Sequence, residues 1–276
     1  MKRVFVALSF VLLLMPSYGQ TINSGIDLSH KWYVNWGWNR DWYTKSDIRM
    51  VGKDYDFTLA NVQAKDRQTK FGFKEYLFIT QLSVPQTNLN LGYYLSKHFS
   101  VAGGFDHMKY VMVRDQITTI NGEINRRGSA YNGTYENDSI QLGYNFLRYE
   151  HTDGLNYVFL EVNRHDEWFN FKQSKIRIST VAGVGPALIR PRTDVTLMNR
   201  QGRNVYHNAG YGINGKLGIQ ILLFNRFNIS SELKGGYINM QHIQATEVKE
   251  DFAKQRFGFL QANLQIGATF GIKSRH

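Results

Sequence analysis

The sequence predicts an all-β fold, an antiparallel up-and-down β-barrel that crosses a membrane with its strands. Three observations carry that expectation. Apolar side chains alternate with small or polar ones at period two in eight stretches, the signature of strands with two unlike faces. No stretch beyond the N-terminal segment approaches the roughly 18 apolar residues of a membrane helix. The connections between the stretches alternate between short and long. Backbone groups in lipid must be satisfied internally, so a membrane chain without helices is left with a closed barrel.

The chain opens MKRVFVALSFVLLLMPSYGQ. Lys2 and Arg3 form a basic start, residues 4–15 an apolar run, and Ser17-Tyr18-Gly19 a small-x-small cleavage site. The expectation is a cleaved secretory signal over 1–19 and a single barrel domain over 20–276. There are no cysteines, so disulfides and a lipidated cysteine are excluded.

The strands follow in order. At 31–42, Trp32, Val34, Trp36 and Trp38 alternate with Tyr33, Asn35, Gly37 and Asn39. At 87–96, Leu89, Leu91, Tyr93 and Leu95 oppose Asn90, Gly92 and Tyr94. At 98–112, Phe99, Val101, Gly103 and Phe105 oppose Ser100, Ala102, Gly104 and Asp106. At 155–164, Val158, Leu160 and Val162 oppose Phe159, Glu161 and Asn163. Ile176, Ile178, Thr180, Ala182 and Val184 carry the pattern through 175–189, and three further strands are expected at 207–223, 228–243 and 256–272.

Each run is long enough to cross a bilayer tilted, which takes about 9–11 residues. The oily rows are read as facing lipid. Trp32, Trp36, Trp38, Trp42, Tyr93, Phe99, Phe227 and Phe270 serve as interface girdles. Short turns are expected at 96–98 and 224–226, a medium one over 164–175, and long polar segments at 113–154, 191–206 and 244–256. Eight strands place both ends on one side. Ten or twelve is the alternative, because 43–86 contains Tyr55-Asp56-Phe57-Thr58-Leu59 and 146–151 also reads as strand. Pro186 cannot donate to a ladder and is expected at a bulge or above the membrane.

The segments LGYYLSKHFSVAGGF, LGIQILLFNRFNISSELKGGY and NLQIGATFGI resemble strands of the small bacterial outer-membrane β-barrel proteins of the OmpA, OmpW and OmpX kind. The likeness is one of pattern and extends over nearly all of the chain after the signal. It implies a monomer in the outer membrane of a Gram-negative cell, delivered by the barrel-assembly machinery and in contact with lipopolysaccharide. The implied role is structural or surface-interacting, with no enzymatic activity and no cofactor. A small-solute, porin-like channel is a further reading. Such barrels commonly end on an aromatic residue, whereas here Phe270 is followed by Gly-Ile-Lys-Ser-Arg-His.

Six ionisable residues fall on inward positions: Asp106, Glu161, Arg177, Lys216, Glu232 and Lys234. A narrow barrel is filled by side chains, and buried charges must pair, so these six predict an internal salt-bridge plug. The stretch HTDGLNY at 151–157 loosely resembles the histidine-centred segment of the lipid A deacylases of the PagL type. That likeness implies a base at His151 oriented by Glu161, in a lipid A-modifying hydrolase. The departure is at position 153, where Asp stands in place of the nucleophilic Ser, and Thr152 points to the opposite face of a strand. Asp-Gly is also a strong turn dipeptide.

GYGING at 210–215 matches GxGxxG inside a strand, which is the wrong setting for a dinucleotide. The histidines are scattered without metal-ligand spacing, so no metal is expected. Arg190, Arg192, Arg200 and Arg203 form a basic loop set suited to lipopolysaccharide phosphates. The net charge of +11 would suit nucleic acid, but lipid-facing strands exclude that partner.

Overall fold

The computed structural model describes residues 27–70, 72–73, 85–171, 175–202, 204–248 and 250–271. The signal segment, Arg203 and Ile272 lie outside them. The described chain forms fifteen strands. They are β1 (Trp32–Tyr43), β2 (Ser46–Gly52), β3 (Tyr55–Val62), β4 (Ala64–Lys65), β5 (Thr87–Tyr94), β6 (Phe99–Met112), β7 (Ile117–Ile124) and β8 (Gly133–Gln141). There follow β9 (Leu147–Phe171), β10 (Ile176–Pro191), β11 (Asp194–Leu197), β12 (Arg200–Gln201), β13 (Gly210–Leu223), β14 (Phe227–Gln244) and β15 (Phe252–Phe270).

Eight of these close a ring in the order β1-β5-β6-β9-β10-β13-β14-β15, and β15 pairs back onto β1. Every pairing in the ring is antiparallel. Following partners once round from Trp32, through Tyr93, Val101, Val162, Val184, Gly215, Gly235 and Leu260, leads back to β1 at Trp42. The ring therefore closes with a shear of ten residues (42 minus 32), which tilts the strands by roughly 40°.

Alternation makes the two faces of the ring. Leu160 is 59% exposed and Leu217 61%, while their strand neighbours Glu161 and Lys216 are buried. Leu91, Val162, Leu188, Ile213, Leu233 and Leu264 repeat this around the circumference. A soluble domain rarely shows more than a few hundred Å² of contiguous apolar surface, and a continuous circular belt is what hydrocarbon requires. Tyr93, Phe99, Phe227 and Phe270 edge the belt below, and Trp42, Tyr211 and Tyr237 edge it above.

At the lower end, where Trp32 meets Phe270, the turns are short. The β13–β14 turn has positive φ at Phe224 (52°) and Asn225 (58°), the two-residue hairpin geometry that matches strand twist. The β9–β10 connection is shorter than expected, because the strands run on to Phe171 and from Ile176.

At the upper end the long segments fold. β2 and β3 form a hairpin that pairs with the top of β15, and β7 and β8 extend that sheet. β11 pairs with the start of β9, so 147–154 belongs to a strand and not to a polar loop. The added strands β2, β3, β7, β8, β11 and β12 stay outside the ring and form a crown, while 147–151 is the upper end of ring strand β9, so the ring keeps eight strands. Ile48, Met50, Phe57, Leu59, Ile120 and Phe146 are buried beneath it. They are continuous with Tyr110, Tyr149, Phe257 and Phe259 in the upper lumen. The oily faces here pack on one another, each buried side chain contributing about 1.5–3 kcal/mol. The chain thus has both a lipid-facing belt and a true core.

Pro186 departs from expectation. It stands on the outer face of β10 between exposed Val184 and Leu188. The β9 ladder keeps its register from Val184↔Val162 to Ala187↔Phe159. The proline omits one donor without a bulge. The β9–β10 register shift lies lower, at Ile178/Ser179.

Candidate functional site: the lumen and the crown

The ring converges its inward side chains on the axis, and mid-lumen these are charged. Lys234 Nζ lies 2.8 Å from Asp106 and 2.9 Å from Glu161. Lys216 Nζ lies 3.0 Å from Glu161 and 3.2 Å from Glu232. Glu161 sits between the two ammonium groups and accepts from Asn214 Nδ2 at 2.8 Å, and Asn214 Oδ1 accepts from Tyr157 OH at 3.0 Å. Asn88 donates to Asp106. The Lys234 ammonium also rests 3.8 Å over the Phe159 ring. Three acids and two bases from four strands are therefore joined into one cluster. Its members meet only because the ring brings distant chain segments together.

Arg177, the sixth inward charge, does not join them. It pairs with Glu167 at 2.8 Å near the lower mouth. Glu167 lies beyond the expected strand end at 164, although the inward series Glu161, Asn163, His165 runs directly on to it. Asp41 is a further inward charge at the top of β1, inside the expected strand 31–42 and continuing the inward series Tyr33, Asn35, Gly37 and Asn39. Its buried carboxylate accepts from Gln86 at 2.7 Å and Gln261 at 3.0 Å.

Below the cluster, His165 Nε2 meets Ser100 Oγ at 2.9 Å, and Ser100 Oγ meets Tyr33 OH at 3.0 Å. The cavity at this mouth, between Tyr94, His98, His165 and Arg177, has a volume of about 30 Å³, room for about two waters. Above the cluster, aromatic pairs fill the bore: Tyr157 with Phe259 (ring centres 5.3 Å apart) and Tyr110 with Phe257 (5.0 Å). Charged pairs and aromatic rings thus cross the described lumen between the lower mouth and the crown.

The structure does not bring His151 and Glu161 together, which corrects the dyad expected from HTDGLNY. They stand ten positions apart on one strand, roughly 33 Å at about 3.3 Å per residue. His151 lies in the crown, where β9 pairs with β11. It is fully buried between Tyr110 and Tyr149, with Nδ1 2.9 Å from Thr193 Oγ1. Burial pushes its imidazole down to about 3, so it remains neutral at ordinary pH. Asp153 is engaged by Arg192 at 3.6 Å. Among the described residues, no three His, Cys, Asp or Glu side chains gather as metal ligands.

The basic loop set is also dispersed. Arg190 is exposed on the outer face of β10. Arg192 turns to Asp153 and Asn204, and Arg200 lies beside Tyr55 on the crown. Arg203 is outside the described residues.

No protein-family model and no curated protein matches the chain. Solved structures do. The outer membrane protein AlkL, determined in lipid bilayers, is similar with a TM-score of 0.40 and 10% identity, over 95% of this chain and 100% of that one. OprG of Pseudomonas aeruginosa is similar with a TM-score of 0.35 and 12% identity, over 89% and 99%. Ail, the attachment invasion locus protein of Yersinia pestis, is similar with a TM-score of 0.32 and 10% identity, over 88% and 99%. All three are small outer-membrane β-barrel proteins.

Proposed function

We propose that the chain is an integral outer-membrane β-barrel with a sealed lumen, and that its role is structural or surface-interacting through the folded crown. One observation carries this reading. The apolar belt surrounds a ring whose bore is closed by paired charges and aromatic rings, so the exposed crown is the part left to act. Delivery through a cleaved signal and the barrel-assembly machinery, a monomeric state and contact with lipopolysaccharide belong to the same proposal.

The hydrolase reading loses its base-and-carboxylate pair, and the channel reading meets a bore crossed by paired charges and aromatic rings. Two measurements test the proposal together. Reconstituted protein is expected to give no unitary conductance steps in planar bilayers. Lipid A from cells expressing it is expected to keep its mass. Steady conductance steps would transfer the role to a channel, and a shortened lipid A would transfer it to an enzyme.

A further inference from the structure

The geometry points to a binding site for the phosphates of an outer-leaflet glycolipid on the outer wall of β14 and β15, directly above the belt. This deepens the outer-membrane reading and rests on it. β14 and β15 rise well beyond the ring, pairing as far as Gln244↔Phe252. Their outward positions change character at the upper girdle. Below it stand Leu233, Leu260 and Leu264, all exposed and apolar. Above it stand Asn239, Gln241, Lys254 and Arg256.

Asn239 is opposite Arg256 in register, and Lys254 is opposite Arg49 of β2. Arg49 is already neutralised, because Nε and Nη2 both hold the Asp56 carboxylate, at 2.8 and 2.6 Å. Lys254 and Arg256 have no carboxylate within ion-pair distance among the described residues, nor does Arg190 on the same rim, and the one acid that acts on Lys254 at longer range, Asp56, is already held by Arg49. No Asp or Glu occupies an outward position on this stretch of β14 and β15. Elsewhere the crown pairs its cations readily, as Arg148 with Asp194 and Arg67 with Glu150 show.

The other groups on the wall suit a phosphorylated sugar. Asn239 Nδ2 donates to Tyr211 OH at 3.0 Å, which places amide and phenol groups at the edge of the lipid. Phe252 stacks on His242 at 4.8 Å, and Lys254 Nζ lies 5.5 Å from the Phe252 ring centre. That flat platform suits the apolar face of a pyranose. Cations fixed at headgroup height beside hydrocarbon-facing leucines meet a membrane phosphate without leaving the wall. The occupant is therefore a bisphosphorylated lipid A-type glycolipid of the outer leaflet and not a free anion.

The test uses the whole protein refolded in detergent micelles and titrated with purified bisphosphorylated lipid A, with binding read by native mass spectrometry. The parent is expected to bind. The double variant K254Q/R256Q is expected to bind about thirtyfold more weakly, from roughly fivefold per cation. R226Q, on the lower turn, is expected to bind as the parent does. Lipid A stripped of its phosphates is expected to bind as weakly to the parent as intact lipid A does to the double variant. Excess inorganic phosphate is expected to leave the parent complex intact.

Equal binding by parent and double variant overturns the site. Equal binding of phosphorylated and stripped lipid overturns the phosphate assignment, and competition by inorganic phosphate overturns the glycolipid source. Faster migration of unheated than boiled samples on a gel reports the barrel separately. Its loss in the parent would defeat the outer-membrane reading, whereas its retention with unchanged lipid affinity would defeat only the site.

Discussion

Lys234 is the side chain on which the lumen most depends. It is 2% exposed and its ammonium serves two carboxylates at once. Replacing it by Met strands Asp106 in the bore and leaves Glu161 to Lys216 alone. Breaking a buried ion pair in this way costs about 3–5 kcal/mol. Urea unfolding of K234M in lipid vesicles is expected to show a loss of that size, and K234M/D106L is expected to recover part of it. A midpoint for K234M equal to the parent's would show that the cluster contributes nothing. A second residue-scale effect concerns pH. His151 is held near 3 by burial, and burial also pushes His207 down. Between the unfolded value of about 6.5 and the folded one, the unfolded state binds the proton that the folded state refuses. Crown stability is therefore complete above about pH 6.5 and falls as the pH drops toward 3. Amide exchange, corrected for intrinsic rate, is expected to quicken at 147–150 and 205–209 on going from about pH 7 to 5. The substitution His151→Asn is expected to flatten that response.

At the scale of elements, ring and crown hold together by different means. Phe57→Ala hollows the crown beneath β3, and such a truncation costs about 3–5 kcal/mol of local stability. The expected result is early proteolysis in the β2–β3 and β7–β8 hairpins with unaltered heat-modifiable gel mobility, because β3 pairs only with β2 and β7, outside the ring. Loss of that mobility would mean that the two parts fold as one. The same division decides what the sequence made legible. The eight ring strands were readable because period two needs only a contrast between faces, and Leu89-Asn90-Leu91-Gly92 states it plainly. Tyr55-Asp56-Phe57-Thr58-Leu59 carries the identical period, yet its oily face meets a core. Alternation marks an apolar face without saying whether lipid or protein covers it, so the crown was not foreseeable from periodicity. Of the inward charges, five meet at the axis. Arg177 does not, because it stands at the lower mouth and pairs there with Glu167, beyond the expected strand end at 164.

At the scale of the whole molecule, the belt makes the strongest demand. Leu217 faces outward from mid-β13 and is 61% exposed. An Arg there is expected to cost about 2–4 kcal/mol in vesicles. Thr58→Arg, on the water-facing side of the crown sheet, is expected to stay within about 0.5 kcal/mol. Equal effects at the two positions would place the oily rows somewhere other than in a bilayer. The central charges have one further consequence, which concerns biogenesis. Asp106 and Lys234 are 128 positions apart, and β1 meets β15 only at the last seam. Until that seam zips, an inserting sheet would turn ammonium and carboxylate groups toward acyl chains. Partially assembled forms in the bilayer are thus heavily penalised, and entry into the membrane and cylinder completion must occur as a single concerted event.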